Sequence, residues 1–248
     1  MEHDGPGVSR ETPAVARLEE LARAWGLPAG APAQLGRLLD LVAAEPSSIT
    51  TVREAGAAAE VHVADSLSGL AVGPLRAATA IADLGSGGGF PGLVLAAALP
   101  QAAVALVESV GRKAEFLDRA ATVMGLTNVR AVNARAEAWP AGIGRFDAVT
   151  ARALAPLGVV LEYAAPLLRP GGVAVAWKGF RNPEEEAAGD AAAAELGLVR
   201  DRIVVAEGLR HARERHLYVY VKVAPTPSRY PRRPGMARKR PIGRSTRG

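Results

Sequence analysis

Hydrophobic positions along the chain change their period several times, and each change marks an element. Val15, Leu18, Leu21 and Trp25 recur at the spacing of one helix face. Thr12 stands ready as N-cap, Pro13 fits the first turn and Gly26 ends the run. A second helix is predicted over about Ala31 to Ala44, with Leu35, Leu38, Leu39 and Val42 on one face. After SSITTVREAG comes a third, EAGAAAEVHVADSLSGL, with Val61, Leu67 and Leu70 toward the core. Its His62, Asp65 and Ser66 lie about one turn apart and crowd one side. From Ala80 the pattern alternates short apolar runs with helical stretches. The predicted strands are the run ending at Leu84, then AAVALVES, VRAVN, FDAVTAR, VAVAWKG, LVRDRIVVAE and HLYVYVKV. Between them lie LVLAAAL, GRKAEFLDRAATVMG, APLGVVLEYAAPLL and a helix from about Pro183 to Leu196. LLRPGG reads as a turn before the fifth strand. Alternating strands and helices predict a mostly parallel sheet covered on both faces. The last two strands form an antiparallel edge hairpin, and the basic segment GLRHARER between them is expected to be exposed.

The segment IADLGSGGGFPGLVLAAAL carries the strongest chemical signal. A buried strand ends at Leu84, glycines 85, 87, 88, 89 and 92 follow, and a helix begins after Pro91. Such a loop lets the backbone approach a ligand with no Cβ in the way, beside the free N–H groups of the helix start. Gly87-x-Gly89-x-x-Gly92 fits the dinucleotide pattern, a short motif of low specificity. An S-adenosylmethionine site instead wants an acid before the loop, here Asp83, and another at the next strand tip, here Glu108. A carboxylate there accepts from both ribose hydroxyls. The structural alternatives are a turn-capping Asp83 and a solvated Glu108.

In a doubly wound sheet the ligand sits at the carboxyl ends of the strands. That rule gathers Gly85 to Gly89, Glu108, the pair Ala136-Glu137, Arg152 and Lys178, each group after a different strand. Glu137 can accept from an adenine amino group, and Arg152 can pair with a cofactor carboxylate or a phosphate. Lys178 either contacts phosphate or ends its strand. His62 and Asp65, just ahead of the loop, are candidates for the substrate side, with Ser66.

Composition narrows the classes. The 248 residues include no cysteine, which excludes disulfides, iron–sulfur clusters, thiolate zinc and cysteine nucleophiles. With four histidines no metal site is expected. Neither a secretory leader nor a membrane span is legible, so a soluble cytoplasmic protein is expected. The net charge of +5 is uneven: eight Lys and Arg and no acid fall in 225–248, leaving the rest at −3. That asymmetry points to a polyanion partner.

Several motifs then fall in a familiar order: SITTVR at 48–53, His62-x-x-Asp65-Ser66, DLGSGGGFPG at 83–92, Glu108-Ser-x-x-Arg112-Lys113, Arg135-Ala-Glu137, Ala151-Arg152-Ala153, Lys178-Gly179 and YPRRPG at 230–235. From about residue 34 onward the chain resembles the bacterial small-subunit ribosomal RNA guanine-N7 methyltransferases, also called glucose-inhibited division protein B. It departs from them at Ser48-Ile49-Thr50 and Val61-His62. The resemblance implies a Rossmann-like class I S-adenosylmethionine-dependent methyltransferase fold and N7 methylation of a guanosine in the decoding-region loop of 16S rRNA. It implies that Gly85, Phe90, Ala136, Glu137 and Arg152 bind the cofactor, beside Asp83, Gly87 and Glu108 from the residues themselves. Arg229, Tyr230, Arg232, Arg233, Arg238, Lys239 and Arg240 are candidate RNA contacts. The partner is 16S rRNA, the small subunit or an assembly intermediate, with no obligate protein partner evident. N7 carries a lone pair and no proton, so no general base is required and no catalytic residue is singled out. The alternatives are another RNA or protein methyltransferase, a nicotinamide oxidoreductase, and a non-catalytic RNA-binding module. The expected organisation is a disordered stretch at 1–10, a helical extension at 11–75, the Rossmann-like domain at 76–224 and a basic tail at 225–248.

Overall fold

The computed structural model describes residues 13–46, 50, 52, 54–206 and 214–243. The Thr12 cap, the stretch at 1–10, most of the 48–53 motif, most of GLRHARER and residues 244–248 lie outside them. Seven strands form one sheet in the order β3-β2-β1-β4-β5-β7-β6. They are β1 (Ala80–Leu84), β2 (Ala103–Glu108), β3 (Val129–Asn133), β4 (Phe146–Arg152), β5 (Leu168–Lys178), β6 (Leu198–Val205) and β7 (His216–Lys222). β1 to β5 pair in parallel, and β7 runs antiparallel to both β5 and β6. The order reverses beside β1, so the switch-point crevice opens where the glycine loop leaves that strand.

Alternation within the strands sorts side chains onto two faces. Ile81, Val104, Leu106, Val173, Val175 and Trp177 belong to one buried cluster, whereas Ala82, Leu84, Ala105, Val107, Ala174 and Ala176 belong to the other. The first face is covered by α1 (Pro13–Trp25), α2 (Ala31–Ala44), α4 (Gly92–Ala98), α5 (Gly111–Met124) and a helical run α3 over 55–71. Leu18, Leu35, Leu38 and Val42 enter the same cluster as Phe116 and Leu117 of α5, and Trp25 packs against its edge. The second face is covered by α6 (Leu157–Ala164) and α7 (Pro183–Leu196). Asn182 caps α7, its Oδ1 accepting from the N–H groups of Glu184 and Glu185.

Two expectations need correction. The helix predicted over 54–70 is not uniform: it passes from α to a π-helical stretch at Ala59–Ala64, back to α, and ends as a 3-10 turn at Ser68–Ala71. RPGG does not precede β5 but is absorbed into it. The pairing with β4 jumps from Phe146↔Leu168 to Ala148↔Val173, so extra residues loop out as a bulge. Gly171 sits there at φ +78°, a conformation open to glycine at little cost. The segment 225–243 packs onto the domain. Tyr230 and Ala237 are buried in the second cluster, a short helix α8 (Met236–Lys239) forms, and Ile242 packs alongside.

Candidate active site

β1 delivers Asp83 beneath the glycine loop. Its side chain is fully buried, with Oδ2 accepting from the Gly92 N–H at 3.1 Å and Oδ1 from the Thr150 hydroxyl at 2.8 Å. Burial pushes this carboxyl up to about 6, against the three donors around it. Asp83 thus locks the loop to β4 and to the start of α4. Gly92 has to be glycine for the same reason. A Cβ there would stand 2.3 Å from Leu106 and 2.7 Å from the Asp83 carboxylate.

Glu108, at the tip of β2, faces the loop. Its Oε2 accepts from the Gly87 N–H at 3.1 Å and its Oε1 from the Val110 N–H at 2.9 Å. Each oxygen keeps a lone pair for a further donor. Gly85, Gly87 and Gly89 take φ of +67°, +53° and +91°, which lets the loop turn around that carboxylate. A cavity opens here between Gly85, Ser109, Ala136, Glu137, Tyr163 and Arg238. Its volume is about 70 Å³, below the ~300–1,000 Å³ usual for small-molecule sites. Two side chains narrow it. Leu154 rests on Gly85, so close that a Cβ on that glycine would stand 2.7 Å from Leu154 Cδ1. Ala153 places it there from a left-handed backbone, φ +53°, immediately beyond β4. Arg238 comes from the C-terminal segment and donates to the Leu154 carbonyl at 2.8 Å.

Arg152, at the tip of β4, enters a second group. It bonds Asp65 Oδ2 at 2.7 Å and the Val61 carbonyl at 3.2 Å, and lies 5.4 Å from the centre of the Phe90 ring. The π-helical stretch supplies that carbonyl. The Asp65 N–H bonds to Glu60 O and His62 O and passes over Val61 O. His62 stacks on Phe90 with ring centres 4.6 Å apart. Arg152 can only donate, so His62 Nδ1 accepts at 3.3 Å and Nε2 carries the proton toward Thr50 Oγ1 at 2.8 Å. Burial, then the Arg152 charge, pulls this imidazole down to about 4, so it is neutral at physiological pH. Asp65 also forms an ion pair with Arg215 at 2.9 Å, without hydrogen-bond geometry. The Asp65 carbonyl accepts from Trp177 Nε1, tying α3 to β5.

The structure thus brings together Gly85, Ala136 and Glu137 around one cavity, with Glu108 and Gly87 beside it, and His62, Asp65, Phe90 and Arg152 around another point of the same loop. Ser66 points elsewhere, donating to the His62 carbonyl within α3. Lys178 stands apart from His62 and Asp65, held by Glu185 at 2.5 Å and the Ala155 carbonyl at 2.9 Å. Glu137 accepts from the Gly235 N–H at 3.1 Å, which fastens the C-terminal segment to the rim. The candidate RNA contacts divide. Arg229 and Tyr230 bond Glu195, and Arg232 forms a two-point pair with Glu162, whose side chain is 2% exposed. Arg233, Arg238, Lys239 and Arg240 are exposed and have no ion-pair partner among the described residues. Sequence reasoning missed Leu154, Tyr163 and Arg215. The first two read as ordinary apolar positions, and only its charge marked the third.

A glycine cradle without Cβ atoms, an acceptor carboxylate at the β2 tip and a loop at the β3 tip fit a nucleoside-bearing methyl donor in chemistry, once Leu154 and Arg238 yield room. Comparison with known proteins agrees. The family model described as rRNA small subunit methyltransferase G matches residues 34–218. A ribosomal RNA small subunit methyltransferase G of Rubrobacter xylanophilus is 47% identical over 187 residues, covering 73% of this chain and 72% of that protein. The protein of the same name from Chloroflexus aggregans is 39% identical over 234 residues, covering 91% and 97%. Among solved structures, a candidate RNA methyltransferase of Pyrococcus horikoshii superposes with TM-score 0.52 at 18% identity, over 84% of this chain and all of that one. A candidate sarcosine dimethylglycine methyltransferase of Galdieria sulphuraria gives 0.51 at 16%, over 69% and 88%. These two likenesses establish the fold alone: the sheet is one that methyltransferases share.

Proposed function

The chain belongs to the GidB family, the small-subunit rRNA methyltransferases G, and we propose that it moves the methyl group of S-adenosylmethionine to N7 of a guanine in 16S rRNA. It is a methyltransferase of small-subunit ribosomal RNA; the atom, the 16S target and the donor are the proposed part. The observation that carries the donor assignment is the cradle in which Glu108 faces the Gly87 amide at the switch point of the sheet. When bound, the donor supplies an electrophilic methyl on a sulfonium.

In this reading the protein holds and aims. Glu108 accepts from the ribose hydroxyls. Ala136 and Glu137 border the adenine. Arg152, fixed by Asp65 and the Val61 carbonyl, presents a cation to the donor's carboxylate. Guanine N7 needs no deprotonation, so a site made of positioning groups suffices, and alignment alone can lower a barrier by several kcal/mol, up to ~7–11 in favourable systems. His62, neutral and stacked on Phe90, adds an uncharged wall there. The exposed cations of 233–240 suit a phosphate backbone. A cytoplasmic location accords with a ribosomal substrate, and among the described residues no helix is long and apolar enough to cross a membrane.

The test is to map 7-methylguanosine in small-subunit rRNA from cells lacking this chain. One site should lose its methyl group and regain it on complementation. An unchanged modification pattern refutes the N7 assignment.

A further inference from the structure

A second and larger space adjoins the donor cavity. A groove of about 850 Å³ runs between Ala155, Pro156, Lys178, Asn182, Arg238 and Ile242. It shares Arg238 with the donor cavity, and its Ala155 follows Leu154, which lines that cavity. The groove therefore begins where the β4 tip ends.

At its mouth sits the loop from Lys178 to Asn182, and almost everything in that loop is tied down. Lys178 is held by Glu185 and the Ala155 carbonyl, and the Gly179 carbonyl by His216 Nδ1 at 2.9 Å. Arg181 makes two bonds to Glu186, at 2.8 and 2.7 Å, while Asn182 caps α7. Phe180 is the exception. Its side chain is 64% exposed, more than any other large hydrophobic residue of the described chain, and it is the single aromatic among them. A rigid loop that pins its polar residues and presents one bare ring to solvent is a preorganised flat surface. The exposed cations Arg238, Lys239 and Arg240, the first of them lining the same groove, suit an occupant that is both aromatic and anionic. An unpaired nucleotide meets both demands, because every base has a π-face and every linkage a negative charge.

We infer that Phe180 is a stacking platform for an unstacked base of the ribosomal RNA substrate, at the mouth of this groove. This assignment rests on the RNA-methyltransferase reading above and adds a residue that reads the single-stranded character of the target. Stacking on an aromatic ring is sequence-tolerant, so Phe180 favours an open loop over a duplex and does not choose the base.

The experiment compares wild type, F180A and F180W on small-subunit rRNA from a strain in which the gene is deleted. F180A is expected to lose about 5- to 150-fold in kcat/KM for RNA. Its calorimetric affinity for S-adenosylmethionine should stay at the wild-type value, which also shows that the variant is folded. F180W should keep the rate, and its additional indole emission, measured against wild type, should be quenched as RNA is added. Wild-type kcat/KM in F180A, or additional emission in F180W that is indifferent to saturating RNA, overturns the assignment. Failure of the wild-type enzyme to methylate the RNA overturns the acceptor reading itself and is seen separately.

Discussion

Asp83 ought to make stability depend on pH in a direction opposite to that of an ion-paired carboxylate. It is fully buried beneath the glycine loop, and burial raises it to about 6 from an ordinary 3.8. A group held higher in the folded state binds its proton more tightly there, so the stability it confers is complete below about pH 3.8. That stability is lost as pH rises through about 6. Roughly two decades of proton affinity are worth about 3 kcal/mol at 1.36 kcal/mol each. D83N removes the titration. The variant carries a constant penalty, because an amide cannot accept as well from both Thr150 and Gly92 and buries an extra donor, about 1–3 kcal/mol. The pH-dependent part is separable from it. Urea unfolding of both proteins from about pH 4 to pH 7 should show the variant's deficit shrinking by about 2 kcal/mol with rising pH. His62 titrates in both proteins and largely cancels in the difference, although its lowered value makes either protein alone lose stability as pH falls from 6.5 toward 4. A deficit that stays flat across the range refutes the reasoning about Asp83.

Three further outcomes follow from named contacts. Replacing Arg232 with Met leaves the Glu162 carboxylate, 2% exposed, without its cation. Unfolding should cost about 3–5 kcal/mol less than in wild type, while R233A should stay within about 0.5 kcal/mol. E108Q turns one acceptor oxygen of the cradle into a donor, and calorimetry should find S-adenosylmethionine binding weakened by about 10- to 100-fold with the fold intact. Removing Arg233, Lys239 and Arg240 together should weaken RNA binding and flatten its salt dependence by about 0.7–0.9 in log–log slope per charge that contacts phosphate. Donor affinity should not change, and an unchanged slope would assign those cations no phosphate contact.

Much of the fold was legible because the chain repeats one unit. Strand, turn and helix alternate with clear changes of period, so the parallel core and the antiparallel β6–β7 edge could be read in advance. The gathering of Gly85, Glu108 and the pair Ala136-Glu137 followed from one rule about strand tips, because the three sites belong to three different strands. What escaped has a common physical cause: it depends on partners that only the fold supplies. Nothing local in AEVHVA announces a π-helical turn. Its value lies in the Val61 carbonyl it frees for Arg152, ninety-one positions away. The tail showed a run of positive charge, yet which arginines stay free is decided by Glu162 and Glu195 on α6 and α7. Asp83 was identified as the acid before the loop, but its complete burial, and hence its work as a lock under Gly92, comes from α4 closing over it.

The central claim is that the strand-tip cleft takes a sulfonium methyl donor and delivers its methyl to a guanine N7. Purified protein incubated with isotopically labelled S-adenosylmethionine and small-subunit rRNA from a gene-deleted strain tests it most directly, with nucleoside digestion and mass spectrometry as the readout. The label should appear in 7-methylguanosine at one position. Label in any other nucleoside, or none in the RNA while the donor is bound, contradicts the account.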